Sequence, residues 1–312
     1  MQTSTLGKRS FLYRFKKNLR DYWQVYVLVA PVVIYYLVFA YYPMYGVQIA
    51  FKDFMPRLGI EGSPWVGLKH FIRFFKSPYF TILIRNTFLI SLYSLVIGFP
   101  LPIVFAIMLN YQRVKWFKQL VQTSSYAPHF ISTVVLVGMM KLMLSPSSGV
   151  INVILQSIGI EPIYFFGRPD LFYGLYAWSN LWKSLGWSAI VYIGALSAIS
   201  PELHEAATID GASIWKRIRY IDLPGIAPTI VILLILHSGS LLSVGYEKAF
   251  LMQNNMNAST SEVISTYVYK QGLVSAQYSF SSAVGLFNSL INFVCIITVN
   301  FISRKVSETS LF

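Results

Sequence analysis

Charge is scarce in this chain of 312 residues: only 12% are Asp, Glu, Lys or Arg, and only 12 residues are acidic. A typical soluble domain is about 25% charged, so a globule of this composition lacks the polar surface to face water. The single cysteine, Cys295, excludes an internal disulfide. It lies inside an apolar block with no cation beside it to activate the thiol. Gly and Pro, at 19 and 14 residues, are too few and too scattered for a collagen-like or low-complexity chain. No repeat on the scale of solenoid units is visible. No G-x-x-x-x-G-K-[ST] phosphate loop is present, so the chain does not hydrolyse ATP itself. His70, His129, His204 and His237 fall in four separate segments, none at metal-ligand spacing from another His or Cys. No G-x-S-x-G elbow or paired-carboxylate cluster sits in the apolar blocks, so nothing supports an enzyme.

What is abundant is apolar sequence: 55% of residues, with a mean hydropathy of +0.56. It comes in six blocks, 22–42, 87–109, 120–144, 172–198, 226–244 and 280–302. Each is near the ~20 residues a helix needs to cross a bilayer. The expected fold is all-α and polytopic, a membrane domain over 22–302 between a basic N-terminus (1–21) and a short tail (303–312). Tyr22 and Trp23 open the first block and Tyr41 and Tyr42 close it, an aromatic belt at each interface. Tyr41-Tyr42-Pro43 replaces a small-residue cleavage site, which predicts an uncleaved helix.

The net charge of +13 would suggest nucleic acid in a soluble protein, but here the basic residues lie between apolar blocks and report orientation. Lys8, Arg9, Arg14, Lys16, Lys17 and Arg20 precede the first block, Arg113, Lys115 and Lys118 follow the second, and Lys216, Arg217 and Arg219 follow the fourth. With Arg304 and Lys305 in the tail, these place both termini in the cytoplasm. The loop after the first block breaks the rule. Lys52, Arg57, Lys69, Arg73, Lys76 and Arg85 face only Asp53 and Glu61 there, which suggests attraction of something acidic from outside.

The loop 199–225 is the most informative segment. Ser200 suits a helix N-cap, Pro201 the first helical position, and Glu202 and Glu205 the positive end of the dipole. Gly211 permits the left-handed conformation that ends a helix. Ser213 then caps a second short helix with Ile214, Ile218 and Ile221 on one face, stopped by Pro224. Ala206 and Ala207 let another backbone approach closely.

Glu205-Ala206-Ala207, three residues, Gly211, nine residues and Ile221-Asp222-Leu223-Pro224 together match E-A-A-x3-G-x9-I-x-L-P. The chain thereby resembles the permease subunits of binding-protein-dependent ABC importers of the sugar type. Ile218 departs from the Phe those permeases often carry. Pro43-Met44-Tyr45-Gly46, Ser63-Pro64-Trp65-Val66-Gly67, Pro128-His129-Phe130-Ile131-Ser132 and the closing Ser310-Leu311-Phe312 extend the resemblance to the polysaccharide and aldouronate permeases of Gram-positive bacteria. The resemblance implies a second homologous permease, two cytoplasmic ATPase subunits that bind the ATP and Mg, and an extracytoplasmic substrate-binding protein. This chain would bind no cofactor or metal. Glu205, Ala206, Ala207, Asp210, Gly211, Ile221, Leu223 and Pro224 would couple it to the ATPase. The substrate would be an oligosaccharide or, by the same machinery, another solute such as a sugar phosphate. A stand-alone channel or secondary transporter would not need this loop.

Polar side chains inside apolar blocks are costly and mark either a path or helix–helix contacts. Asn180, Ser184 and Trp187 share a face of the fourth block, with Lys183 beside it; His237 lies in the fifth; Gly285, Asn288 and Asn292 form a stripe on the sixth. Amides and aromatic rings suit a sugar, so Asn180, Lys183, Trp187, His237, Asn288 and Asn292 are the candidate path residues.

Overall fold

The computed structural model describes residues 18–239 and 242–307. The basic cluster from Lys8 to Lys17 and the closing Ser310-Leu311-Phe312 lie outside these residues. Those described form an all-helical chain with no strand longer than an isolated bridge. Four helices are long and apolar enough to cross a membrane, and six spans result if each of two bent pairs counts as one.

Helix α1, Trp23–Phe51, is 29 residues long, and none of its most apolar stretch is buried. At ~1.5 Å per residue it reaches beyond the ~30 Å hydrocarbon core. Pro43 removes an N–H and displaces the carbonyl four residues back; the ladder answers with a π-helical turn over Leu37–Tyr41. The helix tightens to a 3-10 end, Tyr45–Phe51, which packs on the last helix of the chain. A short helix α2, Lys69–Phe75, leads into α3, Tyr79–Asn110. Next come α4, Lys115–Phe130, and α5, Thr133–Met143, which meet at 102°. The straight third span expected over 120–144 is therefore corrected to a bent one. Pro128 falls in a 3-10 turn, Ile131 and Ser132 are extended, and Ser132 Oγ accepts from Val135 N at 3.3 Å to start α5 afresh.

After α6, Val150–Ser157, the central helix α7 spans Pro169–Ser197. It packs on α3 and on α4 and buries Tyr176, Ala177, Leu181, Gly186, Ala189, Tyr192 and Leu196 along its length. Gly186 is required by closeness: a Cβ there would sit 2.5 Å from the Ser125 carbonyl oxygen of α4.

Helix α8, Pro201–Ile209, leaves α7 at 71°. Helix α9 then runs from Ile214 to Ser238 without interruption. Two expectations are corrected here: the fifth span starts well before 226, and Pro224 does not stop a short helix. A π-helical turn at Ile218–Asp222 removes the clash that Pro224 would make with a regular ladder. Beyond α9 lie α10, Tyr246–Met252, and α11, Ile264–Tyr269, and the chain closes with α12, Tyr278–Ser307.

Amides fasten the irregular 253–263 segment. Asn86 on α3 is fully buried; its Nδ2 donates to the carbonyls of Ser259 and Glu262 at 3.0 Å, and Tyr173 Oη donates to its Oδ1 at 2.9 Å. Glu262 takes Lys270 Nζ at 2.5 Å. Burying such groups is tolerable because nearly every lone pair is met.

Candidate functional site

Two places in this frame carry chemistry. The first is a cavity of about 320 Å³ between α3, α7, the end of α9 and the 243–245 turn. Ser91 and Ser94 face it from α3, Asn180, Ser184 and Ser188 from α7, His237 from α9, and Ser243 from the turn. Phe99 and Tyr176 supply aromatic walls, and Phe99 meets the His237 ring edge-on at 5.7 Å. Ser94 Oγ is buried with no hydrogen-bond partner, while Ser184 Oγ donates back to the Asn180 carbonyl at 2.8 Å. Hydroxyls, an amide and an imidazole around a polar void, with aromatic faces at its edge, match the hydroxyls and C–H faces of a sugar.

Of the candidate path residues, Asn180 and His237 thus line the cavity. The other four do not. The Trp187 ring stacks on His129 at 4.3 Å and 2°, bracing the bend between α4 and α5. Asn292, 8% exposed, accepts from Leu242 N and donates to Ser243 Oγ, both at 2.9 Å, and so pins the turn beyond α9 to α12. Asn288 is half-buried with its Oδ1 unpartnered, away from the cavity. Lys183 lies off the wall and acts at a distance. Together with burial, its charge pushes Lys248 down to about 7. Lys248 is 6% exposed, donates to the Tyr176 carbonyl at 2.9 Å and sits 4.4 Å from the Tyr176 ring. Sequence reading missed Ser91, Ser94 and Ser188. The signal was there: Ser91 and Ser94 at i, i+3, and Ser188 four residues beyond Ser184, which is itself four beyond Asn180.

Asn180→Leu removes one donor–acceptor group from the wall without touching the core. A single hydrogen bond contributes about 0.5–1.5 kcal/mol, so half-saturation of uptake is expected to rise roughly two- to tenfold with the yield of folded protein unchanged.

The second place is the elbow between α8 and α9. Ser200 Oγ accepts from Glu202 N at 3.3 Å and Ser213 Oγ from Lys216 N at 3.4 Å, so both expected caps are made. Gly211 has φ +71, and Ala212 N donates to the Ala207 carbonyl at 2.8 Å to close α8. Helix α8 buries none of its residues. Glu205, Ala206 and Asp210 are exposed. The elbow also carries an apolar rim, split between its two helices: Ile209 is 86% exposed at the end of α8, and Trp215 79% and Tyr220 72% at the start of α9. Leu223 is turned the other way and packs with Ile218 and Ile226 against α7, so it supports the base of α9 instead of the exposed face; Pro224 is exposed and Ile221 half-buried.

Most of the cations from the end of α1 to the start of α3 are held by contacts within the chain. Lys52 Nζ donates to the Ile60 carbonyl at 2.6 Å and lies over Trp65. Lys69 donates to Asp53 at 2.6 Å, a bond that holds Asp53 below the usual carboxylate range. Arg73 stacks on Phe280 at 4.4 Å, and Arg85 reaches the Ser259 carbonyl. Only Arg57 and Lys76 are exposed without a described partner, but a carbonyl or a ring does not neutralise a cation, so the basic excess of the segment remains. Among the described residues no three His, Cys, Asp or Glu side chains gather as a metal site.

Residues 98–308, from the end of α3 through the elbow to α12, match the family of the binding-protein-dependent transport system inner membrane component. The chain belongs to that family. It is a multi-pass permease, a transport subunit and not an enzyme. The permease is 41% identical over 288 residues to the polygalacturonan/rhamnogalacturonan transport system permease protein YteP of Bacillus subtilis, covering 92% of this chain and 90% of that one. It is 30% identical to the arabinooligosaccharides transport system permease protein AraP of Halalkalibacterium halodurans, covering 88% and 85%. A chain from a bacterial alginate ABC transporter, solved in complex with an alginate pentasaccharide-bound periplasmic protein, superposes with a TM-score of 0.88 at 39% identity over 96% of this permease and all of that chain.

Proposed function

We propose that this permease forms half of the translocation path of an ATP-driven importer of oligosaccharides in the bacterial plasma membrane. A second homologous permease supplies the other half, two cytoplasmic ATPase subunits bind the ATP and Mg, and an extracytoplasmic binding protein delivers the sugar. Both termini face the cytoplasm, in keeping with the basic residues at the ends of the chain and beside α8. The spans and the coupling loop 199–225 together make one membrane domain, 22–302. Coupling runs through α8, with Glu205, Ala206, Ala207, Asp210 and Gly211 at the contact.

The observation that carries the reading is the exposed apolar rim of the elbow, Ile209 at the end of α8 and Trp215 and Tyr220 at the start of α9. Helix α8 leaves the bundle at 71°, and a soluble partner offers these side chains more burial than water does. The serine-lined cavity supports a sugar as cargo, as do the oligosaccharide and polysaccharide relatives. Helix α1, with its apolar stretch unburied by its own chain, offers a flank for the second permease or for lipid.

The test is reconstitution with the partner permease, ATPase and binding protein. Trp215→Glu places a charge in the rim and is expected to cut co-purification of the ATPase at least tenfold while the permease still inserts. Undiminished co-purification and uptake would remove the elbow from the coupling path.

A further inference from the structure

The elbow has a buried side facing the bundle, and that side is polar. Asp222, in the π-helical turn of α9, is fully buried among apolar neighbours. Its Oδ2 accepts from Tyr111 Oη at 2.7 Å. Its Oδ1 lies 3.3 Å from His204 Nε2, within ion-pair distance, and makes no hydrogen bond. Tyr111 directly follows α3, and His204 stands on α8, so one carboxylate touches three elements. Arg217 completes the cluster: its guanidinium lies 5.6 Å from the Tyr111 ring, and its Nη1 donates to Thr208 Oγ1 of α8 at 3.1 Å. Burial and the Asp222 carboxylate both raise the Tyr111 phenol above its ordinary range, so it stays a proton donor.

A carboxylate removed from water is costly unless paired, and an aliphatic side chain would fill the same space more cheaply. The motif spacing leaves position 222 open, so its acid is not demanded by the elbow turn itself. Helix α8 buries no residue, and its described side-chain ties to the bundle are His204 to Asp222, the His204 ring against Tyr111, and Thr208 to Arg217. Motion imposed on α8 therefore reaches the ends of α3 and α9 directly through these contacts, and otherwise only along the chain, through the Gly211 turn or through the 198–200 junction to α7.

We propose that Asp222, with His204 and Tyr111, is a buried latch that makes α8 move as one body with the ends of α3 and α9. Asp222 is thus the positioning residue that turns a displacement of the coupling helix into a displacement of the path. This rests on the reading of α8 as the element that docks on the ATPase. Helix α3 also walls the serine-lined cavity at mid-length and α9 at its far end, so a latch on the two helices acts on the void between them.

The test measures uptake per ATP hydrolysed in proteoliposomes of the full transporter. Asp222→Asn keeps the shape and the Tyr111 contact but removes the charge facing His204. It is expected to leave assembly and basal hydrolysis within twofold while uptake per ATP falls at least tenfold, with partial recovery in Asp222→Glu. His204→Gln should give a similar loss, and the double variant should lose no more than the worse single one, since both break one link. Normal uptake per ATP in Asp222→Asn overturns the latch, as do losses that multiply in the double variant. If Asp222→Asn fails to assemble, His204→Gln decides, and an unchanged ratio there overturns it. Trp215→Glu separates the two ideas: if it assembles and transports normally, the docking reading fails, whereas its expected failure beside a normal Asp222→Asn sinks the latch alone.

Discussion

Glu205→Lys and Gly211→Val are each expected to abolish uptake and the ATPase activity stimulated by the binding protein while the permease remains in the membrane. The two changes act by different physics. Glu205 is exposed on α8. The family resemblance implies that it meets a basic residue of the ATPase, so reversing its charge sets like charges against each other, and these repel strongly once water leaves a closing contact. Gly211 has no atom within 4 Å of the place a Cβ would occupy, so space is not its constraint. Its φ of +71 is. A β-branched residue there costs on the order of 1–2 kcal/mol. The elbow can escape that cost by giving up the bond from Ala212 N to Ala207 O, which swings α8 away from its partner. Gly211→Asn separates backbone strain from lost flexibility, because Asn tolerates the left-handed region; it should keep most of the uptake. Transport assays beside membrane-fraction blots check both expectations, and normal uptake in both harmful variants would sink the coupling role.

Gly186→Val is expected to prevent recovery of folded permease altogether. Its added Cβ would lie 2.5 Å from the Ser125 carbonyl oxygen and 2.6 Å from the Ser125 carbonyl carbon. That neighbour is backbone, so relief requires moving α4 away from α7. Overpacking of this kind costs about 1–3 kcal/mol even where side chains can yield. Separation of α4 and α7 would also pull His129 from Trp187 and loosen the bend into α5. Gly194→Val, on the same helix with nothing within 4 Å, is the control and should purify normally. The measurement is the yield of monodisperse protein in detergent with its thermal midpoint. Equal yields for the two variants would show that the approach of α4 to α7 is not needed.

The elbow was the most legible part of the sequence because its determinants are local. Ser200, Ser213 and Gly211 each act within a few residues, and all three are found in the expected state. The apolar blocks marked the long helices for the same reason, four of them able to cross a membrane and six spans if each bent pair counts as one. Legibility failed where a local signal had two outcomes. Pro224 reads as a stop, yet a π-helical turn carries α9 through it. Residues 120–144 read as one apolar run, yet Pro128 and the extended Ile131 and Ser132 fold it by 102°. Polar residues in the spans were harder still. Asn180 and Asn292 look alike in sequence, but one faces a void and the other holds a turn, a difference set by contacts 49 and 50 residues away. Asp222 hid in an open motif position because its partners, Tyr111 and His204, are distant in sequence.

The hydroxyl lining bears on how easily cargo lets go. Ser184 already satisfies its proton on the carbonyl one turn back, and a serine rotor can trade that acceptor for a sugar oxygen by turning about a single bond. Each contact along such a wall is then an exchange, with little net gain on arrival and little net loss on departure. A passage must hold its traveller loosely enough to release it. A wall of this kind offers a sugar low friction, and it leaves tight capture to the binding protein and the work of release to ATP.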